Sequence, residues 1–101
     1  MAKQIIAIQH DTEDYNTGAI ATYHTIDSMY VDFKNRSVSA TINGYVSKAA
    51  FESGKSPLNS NSFTIQELPE SGEVTRHWIY AKAIELPPEQ SVFSGATAIE
   101  A

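Results

Sequence analysis

The chain contains no cysteine, which removes disulfides, thiolate nucleophiles and cysteine-based zinc sites together. Its five glycines stand at 18, 44, 54, 72 and 95, never close enough to form a phosphate-cradling loop, so nucleotide binding has no sequence support. Basic residues are scarce: seven Lys and Arg against twelve Asp and Glu give a formal charge of −5. That balance disfavours generic binding to phosphate backbones, and nucleic acid is not expected as a partner. No apolar run approaches the length of a membrane helix, and Ile5–Ile8 is too short for a signal-peptide core. The expectation is a product made and kept in the cytoplasm, without a membrane partner.

What is present is enough for one core. The 101 residues are 42% hydrophobic and 19% charged, which suits a single folded domain spanning 1–101 rather than a disordered chain. A domain of this size leaves much of its surface exposed, so neighbours that cover part of it would add stability.

Gln4–Gln9 is rich in isoleucine and reads as a short strand. His10–Gly18 is polar and turn-forming, and is expected to be a flexible surface loop. From Ile20 to Phe33 β-formers dominate, but the apolar phase shifts near Asp27 and Ser28, which predicts a bulge there. Lys34–Ser37 has turn composition, so Met29–Phe33 should fold back on Val38–Ile42 as a long central hairpin. Asn43-Gly44 is itself a strong hairpin signal. However, Val38, Ala40, Ile42 and Val46 hold one phase through it, which favours a continuous strand with Gly44 at a bulge or a close contact.

Beyond this, Lys48–Ser53 reads as a single helical turn stopped by Gly54, and Ser62–Leu68 as a strand ended by Pro69. Between Pro69 and Pro87, Val74, Trp78, Ala81 and Ile84 with Tyr80 form a stripe at helical spacing and predict a helix of about three turns, with Ile79 off the stripe. A strand is the alternative, since Val74, Trp78, Tyr80 and Ile84 also share one parity. From Pro87 the chain should be an extended tail. The fold class expected is α+β: a small antiparallel sheet with the central hairpin and one C-terminal helix packed on a face.

Candidate chemistry is sparse. Asp11, Glu13 and Asp14 could hold a hard cation, but they lack the glycine and terminal glutamate of a calcium loop, so a solvated acidic loop is the better reading. His24 and His77 could each act as a general base, yet no Gly-x-Ser-x-Gly elbow singles out a serine, and structural histidines are the default. No catalytic, cofactor-binding or metal-binding residue is assigned. Most aromatics are accounted for by packing. Tyr45 is the exception, because strand alternation puts it with Thr41 and Asn43 on the face opposite Val38, Ala40 and Ile42. These three, with Trp78, are the candidate interface residues.

Taken together, Gly18-Ala-Ile-Ala-Thr-Tyr-His24, Val31-Asp-Phe33 and Gly44-Tyr-Val-Ser-Lys-Ala-Ala-Phe-Glu-Ser-Gly-Lys-Ser-Pro-Leu58 resemble small structural proteins of tailed bacteriophages and prophages. The resemblance covers about the middle half of the chain and is one of texture rather than of a diagnostic motif. It implies a non-enzymatic virion component, tail- or baseplate-associated or decorating the head, made in the host cytoplasm. Such a protein would act by packing against copies of itself and other virion proteins, without cofactor, nucleic acid or small-molecule substrate. The alternatives are an acidic protein that blocks a host enzyme by mimicking nucleic-acid charge and, last, a small hydrolase using His24 or His77.

Overall fold

The computed structural model describes residues 4–13 and 17–101. Strands β1 (Ile5–Glu13), β2 (Ile20–Asp32), β3 (Ser37–Tyr45), β4 (Asn59–Ile65) and β5 (Thr97–Glu100) form one sheet in the order β4-β3-β2-β1-β5. Every neighbouring pair is antiparallel. Two helices interrupt the strands, α1 (Lys48–Glu52) after β3 and α2 (Arg76–Glu85) between β4 and β5. The molecule is thus mostly sheet, with a second, one-turn helix in addition to the C-terminal one.

The β2–β3 hairpin follows from alternation and turn chemistry. Val31 pairs with Val38, Met29 with Ala40 and Ile26 with Ile42, and the register shifts between Ile26 and Ser28. The shift lets the apolar residues on both sides of Asp27 reach the same face. At the turn, Asp32 accepts hydrogen bonds from the Asn35 backbone N–H at 3.1 Å and side-chain Nδ2 at 2.7 Å, and Arg36 takes the left-handed conformation at φ 54°. These bonds hold the Asp32 carboxyl below its ordinary pKa, the backbone bond contributing most.

Gly44 lies within β3, opposite His24 on β2 and Asn59 on β4. A Cβ there would collide with Asn59 Oδ1 and come within 2.8 Å of His24 Nδ1. Only glycine leaves room for that close approach.

Helix α2 covers one face of the sheet. Thr75 caps its N-terminus by accepting from the Trp78 N–H at 3.2 Å, and Leu86 ends it one residue before Pro87, as proline chemistry requires. Its buried residues are Ile79, Tyr80 and Ala83: Tyr80 belongs to the expected stripe, whereas Ile79, placed off it, is buried, and Val74, Trp78, Ala81 and Ile84 are not fully covered. Those four lie partly buried at the margins, Val74, Trp78 and Ile84 packing against the core. Ile79, Tyr80 and Ala83 join Ile8, Val38, Ala40, Ile42, Phe63, Ile65 and Phe93 in the core.

The ends of the expected map differ as well. Of the segment 10–18, His10–Glu13 belong to β1, where the register shifts between Gln9 and Thr12 and then pairs Thr12 with Ala21 and Glu13 with Ile20 of β2, and 14–16 lie outside the described residues. The chain from Pro87 is not an extended tail throughout. Turns bring Ser91 and Phe93 into the interior, with the Ser91 hydroxyl donating to the Ala83 carbonyl at 2.9 Å. The chain then adds β5 beside β1.

Candidate functional site

Strand alternation gives the sheet a second face, opposite α2, and there the side chains of Ser39, Thr41 and Asn43 on β3 and Ser60, Ser62 and Thr64 on β4 are hydroxyls and amides. Ser39 Oγ meets Thr64 Oγ1 at 3.3 Å, Thr41 Oγ1 meets Ser62 Oγ at 3.0 Å, and Ser60 Oγ donates to Asn43 Oδ1 at 2.5 Å. These cross-strand pairs make a polar ladder running the length of β3 and β4. Each rung fixes a side chain that would otherwise be free in water.

Beside the ladder lies an unpaired edge. β4 is the outermost strand, and its register with β3 runs without a shift from Asn59 opposite Gly44 to Ile65 opposite Val38. Its sequence, Asn-Ser-Asn-Ser-Phe-Thr-Ile, carries no charge and no proline. Charges, prolines and bulges are what ordinarily protect such an edge, and β4 has none of them. The other outer strand, β5, has only four residues and ends in Glu100. At the β2–β3 end of the sheet, Tyr30 and Phe33 stand 67% and 69% exposed and Met29 46%.

The predicted interface residues do not form one patch. Thr41 and Asn43 are rungs of the ladder. Tyr45 shares their face, but Phe51 of α1 lies over it with ring centres 5.0 Å apart and over Tyr23 at 5.5 Å. Trp78 sits across the sheet on α2, partly packed on the core, with the Lys82 ammonium 5.8 Å from its ring centre. Ser39, Ser60, Ser62 and Thr64 complete the face and went unassigned from sequence. Their polar parity in an otherwise strand-like segment was the available signal.

Each of the two candidate histidines is hydrogen-bonded to a backbone group. His24 is fully buried, and its Nε2–H donates to the His10 carbonyl at 2.6 Å. Burial lowers its pKa, a shift partly offset by that hydrogen bond. Its Nδ1 and the neighbouring Asn59 Oδ1 are both buried without partners, while Asn59 Nδ2 donates to Thr12 Oγ1 at 3.0 Å. Turned by 180° about its last bond, the Asn59 amide would put N–H groups in place of the unpartnered oxygen and its oxygen on the Thr12 hydroxyl. His77 Nδ1 accepts from the Ile5 N–H at 2.9 Å. No hydroxyl is hydrogen-bonded to either ring among the described residues. Asp11 and Glu13 lie on β1 and Asp14 outside the described residues, among which no three His, Asp or Glu side chains gather as a cation site.

Searches against family models, curated proteins and solved structures return no match to this chain. Among the described residues no helix is long and apolar enough to cross a membrane.

Proposed function

We propose that this protein is a structural component that works by sheet extension between copies of itself, as the resemblance to small tailed-phage virion proteins implies. The observation that carries the reading is the open, uncharged, unbulged edge of β4 beside the hydroxyl ladder. Backbone groups on such an edge supply affinity by adding a strand. A second copy is the partner that suits it best, because an uncharged strand lets two chains of charge −5 meet without opposing carboxylates at the seam.

An antiparallel two-fold centred on Ser62 sets Asn59 against Ile65, Ser60 against Thr64 and Asn61 against Phe63. Every pair then keeps its face: ladder residues meet ladder residues, and α2-side residues meet α2-side residues. The exposed Met29, Tyr30 and Phe33 give the same region apolar surface for further contacts with other particle proteins.

The test is native mass spectrometry of the purified chain beside Ser62→Lys, which sets two ammonium groups opposite each other at the two-fold. The wild-type chain is expected to form dimers or larger assemblies, and Ser62→Lys to be monomeric with an unchanged circular dichroism spectrum. A wild-type chain that stays monomeric at its highest soluble concentration would overturn the reading. Mass spectrometry of purified phage particles, counting copies of this chain, tests the virion setting: several copies per tail would indicate a tail ring, hundreds a head decoration, and none would reject it.

A further inference from the structure

The ladder between β1 and β2 stops at Ile8 opposite His24. Were it to continue, Ile6 and Ile5 would lie against Ile26 and Asp27, and their backbone groups would bond across. Instead, two side chains of α2 take N–H groups there: the Ile5 N–H donates to His77 Nδ1 at 2.9 Å and the Ile26 N–H to the Tyr80 hydroxyl oxygen at 2.8 Å. Where the strands part, a cleft of about 780 Å³ opens, bounded by β1, β2, β3 and both helices. That volume is within the range of small-molecule sites.

Its walls and floor differ in kind. Ile5, Ile6 and Ile26 supply aliphatic surface, and Tyr23, Tyr45 and Phe51 aromatic surface. Tyr80 and His77 bring two donors to the floor. Tyr80, 2% exposed, accepts a backbone N–H at its oxygen and has its O–H proton left to give. His77, accepting at Nδ1, must carry its proton on Nε2. Neither group has an acceptor among the described residues. At the rim, Arg76 stands in the first turn of α2, where no acid is present and a cation is electrostatically unfavourable for the helix. It makes no ion pair among the described residues, and neither does Lys48 across the cleft. Asp27 and Glu52, also on the rim, are exposed.

We propose that this cleft binds a small amphipathic carboxylate: an aromatic or aliphatic body between Phe51 and the isoleucines, and acceptor oxygens on the donors of Tyr80, His77 and Arg76. A ligand ending in an amine would set donors against donors at the floor. The site is separate from the β4 edge, so it stands or falls independently of assembly.

The probe is 3-phenylpropanoate, titrated into the full-length protein and followed by amide chemical shifts, with 3-phenylpropan-1-amine as the matched cation. Saturable shifts are expected at Ile5, Ile6 and Ile26 with the carboxylate, and binding at least about tenfold weaker with the amine. Tyr80→Phe is expected to weaken the carboxylate about tenfold. Because that change also removes the acceptor for the Ile26 N–H and risks the fold, Arg76→Gln on the exposed rim is the second variant, expected to cost about threefold. Equal or tighter binding of the amine at these amides overturns the proposal. So does the absence of saturable shifts with the carboxylate, or its unchanged affinity in folded Tyr80→Phe or in Arg76→Gln.

Discussion

On β3, Val38, Ala40, Ile42 and Gly44 turn towards α2 and are nearly inaccessible, whereas Ser39, Thr41 and Asn43, one residue away from each, carry the ladder on the opposite face. The two sets share a backbone, so what separates them is the neighbours each meets. One face is held by close packing and exclusion of water, the other by hydroxyl pairs that water can replace. The first should govern stability, and the second should be free to serve a partner.

Substitution on each face measures that division. Ile42→Ala removes fully buried methyl groups and is expected to cost roughly 3 kcal/mol in urea unfolding. On the reverse face, Thr41→Ala loses only a water-accessible hydroxyl pair and should cost about 0.5 kcal/mol or less. Comparable losses at the two positions would remove the distinction.

Gly44→Ala probes a place where the packed face is polar. The new methyl would meet Asn59 and His24, and the expected loss is about 2 kcal/mol, read from the denaturant midpoint. A Gly44→Ala chain as stable as the parent would mean that the His24 and Asn59 side chains give way freely.

The smallest effect is the pH dependence from His24. Burial lowers its folded-state pKa, so above the unfolded value of about 6.5 both states carry a neutral ring and its contribution is complete. As pH falls below about 6.5, the unfolded chain takes up the proton first, and stability declines towards the depressed folded pKa. Melting temperature should fall over that window, with less change in a folded His24→Gln variant. An identical slope in the variant would assign the effect to other groups.

Much of this fold was legible where pattern and turn agree. The pairing of Met29–Asp32 with Ser37–Ala40 could be read because alternation in Val38–Ile42 flanks a polar turn, which falls at 33–36, one residue earlier than the expected 34–37, and Asn43-Gly44 could be rejected as a turn because the phase continues through it. The buried side of α2 was legible only at Tyr80: Val74, Trp78, Ala81 and Ile84 compete with Ile79 and Ala83, and tertiary packing decides between them. His10–Glu13 is polar because its neighbours, not its own side chains, make it a strand. β5 is too short and too small in its side chains to announce itself. The cleft was least accessible of all, since it exists because two strands stop pairing, and no local sequence encodes where a ladder ends.

The odd number of strands has a consequence for how far association can run. With five strands all antiparallel to their neighbours, β4 and β5 point the same way along the sheet. Copies repeated by simple translation would therefore join β4 to a neighbour's β5 in parallel, over only four residues, a weaker union than antiparallel pairing of β4 with β4. A two-fold seam consumes both strong edges and leaves short ones outside. The strand count thus acts as a polarity rule: it permits closure into a pair and discourages the open-ended sheet growth that a bare edge would otherwise invite.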